Sequence, residues 1–318
     1  MAKISEALYY ASWFAQCKFL GKRKPLQSVV FLTDRCNLAC KHCSIVRTGP
    51  DCHNKTLEQI RDDLQYCYDS GSRIVDLQGG EPHLWKDSSD EARAQTPDGE
   101  PATLNTVVDL ARTIGFFSVS VTTNAQMPIT VTSDLVWTSL DGMEERHDEQ
   151  RGKGAFARSL KHIAECDHPN LNVNMCITKN NYQDFEDVVE LVKDHPNLKK
   201  FAFSFYVPLD GNRDLLVDPA IRSDIIDKAL RFKAAGYPMM NSAAGIALLR
   251  DPKLFVPKRQ CWISNFILSD GTRLDRCQGE AAGACDDCGF GMCAEMTLLW
   301  NLNPEMVKAG LSVRSAKE

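Results

Sequence analysis

No apolar run in the 318-residue chain approaches the roughly 18 residues that a membrane-crossing helix needs. Also missing is the layout of a secretory signal, a cationic stretch followed by an apolar block and a small-residue cleavage site. Both absences lead to the expectation of a cytoplasmic protein. Excess positive charge is lacking too: 37 Lys and Arg stand against 42 Asp and Glu, for a formal net charge of -5. A surface that tracks phosphates needs the opposite balance, so no nucleic-acid partner is expected. There is no internal repeat and no low-complexity tract, which removes solenoid and linker architectures. What remains, with 43% hydrophobic and 25% charged residues, is an ordinary globular composition. The length suits one large domain with a small appendage.

Cysteine is abundant. Disulfide scaffolds belong to small secreted chains, and the spacing of these 13 cysteines is different. Cys36, Cys40 and Cys43 form one tight group, and Cys261, Cys277, Cys285, Cys288 and Cys293 form a second near the other end. Cys17, Cys52, Cys67, Cys166 and Cys176 are isolated and read as small buried hydrophobes. Two groups of soft thiolate ligands point to iron–sulfur or zinc.

Residues 4–20 place Ile4, Ala7, Leu8, Ala11, Phe14 and Ala15 at helical spacing, before Gly21-Lys22-Arg23-Lys24-Pro25 ends the helix. Such a helix either docks on the domain or lies on a membrane surface, because apolar and aromatic residues precede a cationic patch. Strands then alternate with helices: strands over 28–32, 73–77, 117–122, 135–139, 172–178 and 200–206, helices over 57–68, 104–114, 154–165, 182–194 and 220–235. This alternation predicts a parallel sheet with crossover helices. The expected fold class is α/β, a partial (β/α)6 TIM-like barrel over 26–240, preceded by the helix of 1–25. A small cysteine-rich iron–sulfur module, with one or two helices in 294–310, follows over 241–318. Substrate is expected at the C-terminal strand edges, and the polar stretch 86–101 reads as a surface loop or lid.

Cys36-x3-Cys40-x2-Cys43 offers three thiolates where a 4Fe–4S cluster normally takes four. One iron is left open to chelate a small molecule. Zinc would need a fourth ligand, His42 or Cys52. The stretch Thr33-Asp34-Arg35-Cys36-Asn37-Leu38-Ala39-Cys40-Lys41-His42-Cys43 closely resembles the signature loop of the radical S-adenosylmethionine (SAM) superfamily. That resemblance implies that the open iron binds the amino and carboxylate groups of SAM, and that one electron releases methionine and a 5′-deoxyadenosyl radical. His42 stands where the family usually has an aromatic residue shielding the cluster. Gly79-Gly80-Glu81-Pro82 is by itself a turn; by the resemblance it is the loop that engages the SAM amino group. Thr123 and Asn124, at the end of the third strand, join the implied cofactor site. Ser139 and Arg151 match a serine that helps hold SAM and an arginine that pairs with its carboxylate. Their ordinary readings are a helix cap and a solvated surface charge.

The second cysteine group resembles the auxiliary-cluster modules SPASM and Twitch. A full SPASM module needs seven or more cysteines, so five imply one auxiliary 4Fe–4S cluster. Cys261, Cys277 and Cys285 are its expected ligands, with Cys288 or Cys293 as the fourth. A zinc ribbon is the competing reading. The implied reaction is hydrogen abstraction from a C–H bond, leading to oxidative or bond-forming modification of a small or medium organic substrate. The electron comes from a donor such as flavodoxin or ferredoxin. Adenosyl or carbon–carbon bond-forming transfer to an isoprenoid lipid met by the N-terminal helix is one alternative, with peripheral membrane contact. Peptide or protein modification is another. A non-enzymatic iron–sulfur electron-transfer or binding protein would have no reason to leave an iron open. Asp210, after Tyr206-Val207-Pro208, is a candidate base or hydrogen donor.

Overall fold

Local signals start and stop each crossover helix. The computed structural model describes residues 2–45 and 51–305, with side chains from residue 5 and without those of 254–256. Helix α1 (Ala2–Phe19) precedes strand β1 (Gln27–Phe31). Thr56 caps α2 (Leu57–Ser70) through a capping box with Gln59, and Gly71 ends it. After β2 (Ile74–Gln78) comes the short α3 (Asp90–Arg93), then α4 (Leu104–Ile114), which ends at the left-handed Gly115. Strands β3 (Ser118–Thr123) and β4 (Leu135–Ser139) lead to α5 (Glu144–Arg151) and α6 (Ala155–Ala164). Strand β5 (Leu171–Ile177), α7 (Phe185–Asp194) and β6 (Leu198–Phe205) follow, then α8 (Pro219–Ala234), capped by Asp218. The remainder holds α9 (Ala243–Leu248), α10 (Pro252–Phe255), β7 (Ser264–Ile267), β8 (Arg273–Leu274), α11 (Gln278–Ala281) and α12 (Gly291–Trp300).

The sheet order is β6-β5-β4-β3-β2-β1-β7-β8. Strands β1 to β7 run parallel, and β8 returns antiparallel on β7. This is the partial barrel expected, joined to a cysteine-rich C-terminal module. Two strands were not foreseen: β7 follows Cys261 and pairs with β1, Gln27 against Ser264, and β8 returns on β7. The module is therefore stitched to the sheet by backbone hydrogen bonds. The outer strand face is apolar and sealed by helices; Val75, Leu77, Val119, Val121, Val136 and Val173 are fully buried in one core. Each such side chain contributes roughly 1.5–3 kcal/mol relative to exposure. The alternate residues are polar, and several keep some exposure: Gln78, Thr122, Ser139, Asn174 and Ser204. Period-two alternation thus gives a dry outer layer and a polar interior.

Two further expectations change. The docked face of α1 is not the predicted stripe. Trp13 and Cys17 are buried against Leu26 and Ile263, with Tyr9, Tyr10 and Phe14 packed around them. Ala7, Leu8, Ala11 and Ala15 point to solvent instead; the side chain of Ile4 lies outside the described residues. Aromatic rings bury more area than alanines, so they decide which face docks. The stretch 86–101 is tied down, with α3 inside it and Asp87 paired antiparallel with Ala102. The end of the helical stretch 294–310 lies outside the described residues. Of the isolated cysteines, Cys17, Cys67 and Cys166 are buried, whereas Cys52 and Cys176 are half-buried. No helix among the described residues is long and apolar enough to cross a membrane.

Trp13→Ala removes a ring that stacks on Trp262 and donates from Nε1 to Lys24 O at 2.9 Å. Chemical denaturation should show a loss of about 3 kcal/mol. Leu8→Ala, at a side chain 65% exposed, should cost less than about 0.5 kcal/mol.

Candidate active site

The loop after β1 and the loop after β2 are zipped together. Gly80 N donates to Thr33 O at 2.7 Å and Glu81 N to Arg35 O at 2.9 Å. A side chain on Gly79 would come within 2.7 Å of Thr33 O, and one on Gly80 would overlap the Arg35 carbonyl. The two glycines are therefore what lets the backbones meet. Glu81 is fully buried, and its carboxylate is occupied. Oε1 accepts from Thr123 Oγ1 (2.8 Å) and His83 N (3.0 Å), and Oε2 accepts from Asn124 N (2.8 Å). In this structure Glu81 clamps the glycine loop to the end of β3. Asn124 reaches on to the cysteine loop, with Nδ2 at 2.8 Å from Asn37 Oδ1 and 3.5 Å from Cys36 Sγ.

Cys36, Cys40 and Cys43 stand on this zipped loop. Leu38 N donates to Cys36 Sγ at 3.4 Å, and Arg151 Nη1 lies 3.9 Å from Cys40 Sγ. Burial pushes the Cys36 thiol up, and that of Cys40 to about 11. Coordination would supply the deprotonation that the protein alone does not. Three thiols, two of them near N–H donors, fit an iron–sulfur cluster, whose potential depends on such hydrogen bonds. Arg151 is buried, its Nε bonded to Asp141 at 2.6 Å. Burial alone would push Asp141 up, but the Arg151 guanidinium holds it below the usual carboxylate range. Asp141 Oδ1 also accepts from Cys176 N. His42 sits over this pair, 2.9 Å from Gln150 and 3.5 Å from Asp141. Burial pushes His42 down to about 4, leaving it neutral. Ser139 ends β4, half-buried on the same strand face as Trp137.

A cavity of about 310 Å³ opens beside the loop. Its wall includes Asp34 and Ile45 from the cysteine loop, His53, Asp210, Ser269 and Asp270 after β7, and Gln278 and Ala281 of α11. Asp210 lines it from an exposed loop, accepting from the Tyr206 hydroxyl (3.3 Å) and Asn212 N (3.0 Å). His53 was not singled out by its sequence, and its geometry is more specific. Its Nδ1 lies 2.8 Å from Asp34 Oδ2, and its backbone N donates to Asp34 Oδ1 at 2.7 Å. An ionised carboxylate only accepts, so the hydrogen is on Nδ1 and Nε2 is the basic atom. The signal available in the sequence was a histidine ten residues past Cys43.

In the C-terminal module, the Sγ atoms of Cys261, Cys277 and Cys293 lie within 4.8 Å of one another, all buried. Cys288 accepts a hydrogen bond from Cys293, and its carbonyl is held by Arg222 Nη2 at 2.6 Å. Hydrogen bonds from Cys261 and Cys293, and from Gly279 N at 3.2 Å, hold the Cys277 thiol well below its ordinary range. Cys285 is half-buried, with Arg259 among the charges acting on it. The four buried sulfurs form a donor set suited to a metal or cluster.

The profile of the Radical SAM superfamily matches residues 30–192. The chain belongs to that superfamily. It is 28% identical over 242 residues to the Fe-coproporphyrin III synthase of Methanosarcina barkeri, covering 70% of this chain and 55% of that protein. It is 25% identical over 205 residues to the antilisterial bacteriocin subtilosin biosynthesis protein AlbA of Bacillus subtilis, covering 60% and 42%. The chain spans about half the length of these relatives. Among solved structures, Streptococcus suis SuiB superposes with a TM-score of 0.62 at 16% identity, covering 95% of this chain and 72% of that one. The shared fold carries the C-terminal cysteine site in the manner of SPASM and Twitch enzymes. Membership of the superfamily and the buried C-terminal cysteines support the use of SAM and an iron–sulfur group.

Gly80→Ala should separate the two loops and lower SAM binding at least about tenfold by equilibrium dialysis. Asp141→Asn leaves Arg151 buried without its counter-charge and should cost about 3–5 kcal/mol in anaerobic denaturation. Because the Asp141 shift is downward, its stabilisation is present above the ordinary carboxylate pKa and is lost as pH falls below it.

Proposed function

We propose that this enzyme oxidatively modifies an amino-acid side chain in a peptide or protein. The observation that carries the reading is the cavity beside the cysteine loop. Among the described residues it is lined by Asp34, Asp210 and Asp270 together with Phe31, Ile45, Leu268 and Leu274, and by no lysine or arginine. The activities of the two relatives diverge here: a porphyrin bearing several carboxylates would meet like charge, whereas a peptide side chain would not. Solved structures with the same fold include SuiB bound to the precursor peptide SuiA. The lipid alternative fits less well, because α1 packs at the opposite end of the barrel from the cysteine loop, against Gly71 and Phe117.

Cys36, Cys40 and Cys43 would hold a 4Fe–4S cluster with one open iron. Gly79, Gly80, Glu81, Pro82, Thr123, Asn124, Ser139 and Arg151 would shape the SAM site around it. When bound, these groups supply a 5′-deoxyadenosyl radical. Glu81 and Arg151 act mainly by position, since both are engaged by protein partners. Cys261, Cys277 and Cys293 would hold one auxiliary 4Fe–4S cluster, with the buried Cys288 as fourth ligand in place of the expected Cys285, which is half-buried. Once bound, these groups would supply hydrogen abstraction and one-electron transfer, and the chain itself would supply the acceptor for the substrate's proton. Nε2 of His53, oriented by Asp34, is the better proton acceptor; Asp210 is the second. A flavodoxin or ferredoxin supplies the initiating electron from the cytoplasm.

The test is isotopic. A digest of perdeuterated protein is incubated with enzyme, SAM and reductant, and 5′-deoxyadenosine is analysed by mass spectrometry. Deuterium in the nucleoside is the expected result; stimulation by coproporphyrin III alone would overturn the reading. With the active peptide, His53→Ala should lower product formation about a hundredfold while leaving peptide-independent SAM cleavage within about twofold.

A further inference from the structure

Helix α1 is apolar on both sides, and among the described residues only one side is covered. Opposite the docked Tyr9, Trp13 and Cys17, the outward face presents Leu8, Ala11, Ala15 and Phe19 at helical spacing. Leu8 is 65% exposed, Phe19 78% and the following Leu20 67%. No charged residue interrupts the helix between Glu6 and Lys18. The helix then runs into Lys18, Lys22, Arg23 and Lys24, with Lys22 and Arg23 exposed. Five Lys and Arg oppose one Glu among the first 33 residues of a chain whose net charge is -5. An uncovered apolar stripe flanked by cations on an otherwise acidic protein calls for a partner that is both apolar and anionic.

We infer that α1 docks the enzyme on an anionic lipid surface. The stripe would enter the headgroup boundary while Lys22 and Arg23 meet lipid phosphates and carboxylates. Residues 306–318 are a poor alternative occupant, because Lys308, Arg314 and Lys317 outnumber Glu318 and repeat the sign of the patch. The geometry also sets the orientation. Tyr9 bonds Gly71 O and packs on Phe117, Trp13 bonds Lys24 O, and Leu26 N bonds Ile263 O. All of these residues immediately precede β2, β3, β1 or β7, so α1 floors the barrel at the N-terminal strand edges. The cysteine loop and the cavity open at the other end. A docked enzyme therefore turns its mouth toward water and takes its substrate from there, whatever reaction it performs.

The experiment is co-sedimentation of the full, anaerobically reconstituted chain with vesicles of phosphatidylcholine, alone or mixed with phosphatidylserine. Binding to the mixed vesicles only, weakened by salt, is expected. Lys22→Glu/Arg23→Glu should lower partitioning about tenfold or more, and Leu8→Glu/Phe19→Glu should do the same. Both pairs are exposed, so circular dichroism and SAM cleavage in solution should match wild type. Absence of binding to the mixed vesicles would overturn the inference, as would binding that both double variants retain. A dimer in vesicle-free solution that Leu8→Glu/Phe19→Glu dissolves would overturn it too, by showing that a second copy covers the stripe.

Discussion

Two backbone hydrogen bonds join the loop after β1 to the loop after β2, and the arrangement of the active end depends on them. They form because neither Gly79 nor Gly80 has a side chain to hold the strands' exits apart. Once the loops meet, the buried Glu81 carboxylate closes the third side by accepting donors from Thr123 and Asn124 at the end of β3. Asn124 then contacts Cys36. Three strand ends are thus locked around one cysteine, and preorganisation of this kind is what a site for a reactive intermediate requires.

Behind the cysteines lies a buried charge cluster of Asp141, Arg151 and neutral His42. Such a cluster is costly to bury and tolerable only when fully paired, which it is through Arg151 and the backbone of Cys176. In front lies the cavity, bounded on one side by the cysteine loop and on the other by α11, which begins just after Cys277. Strand β7 makes this possible. By adding to β1 it joins the cysteine-rich module to the sheet that carries the cysteine loop. A single sheet therefore positions both thiol sites and the space between them.

Much of this was legible in the sequence because the signals were local. Leu104–Ile114 and Leu135–Ser139 agree residue for residue with their predicted spans, since each has clean periodicity and a clear boundary. Helix α5 escaped because EERHDEQR has no apolar stripe; what it buries is His147, Gln150 and Arg151. The face of α1 was misread because alanines at helical spacing score as apolar while contributing little area beside Trp13. Strand β7 has four residues and a partner more than 230 positions away, so no window along the chain reports it. His53 stayed hidden because its meaning lies in Asp34, a residue of the signature loop whose side chain no motif emphasises.

The central claim is a SAM-cleaving cluster on the zipped loop together with a second site on the C-terminal cysteines. Iron and zinc content, with 5′-deoxyadenosine formed under dithionite, tests it most directly when wild type is compared with Cys36→Ala/Cys40→Ala/Cys43→Ala. About eight irons per chain are expected, falling to about four in the variant, with nucleoside formation abolished. Zinc at the C-terminal site, or iron without SAM cleavage in the wild type, would contradict it.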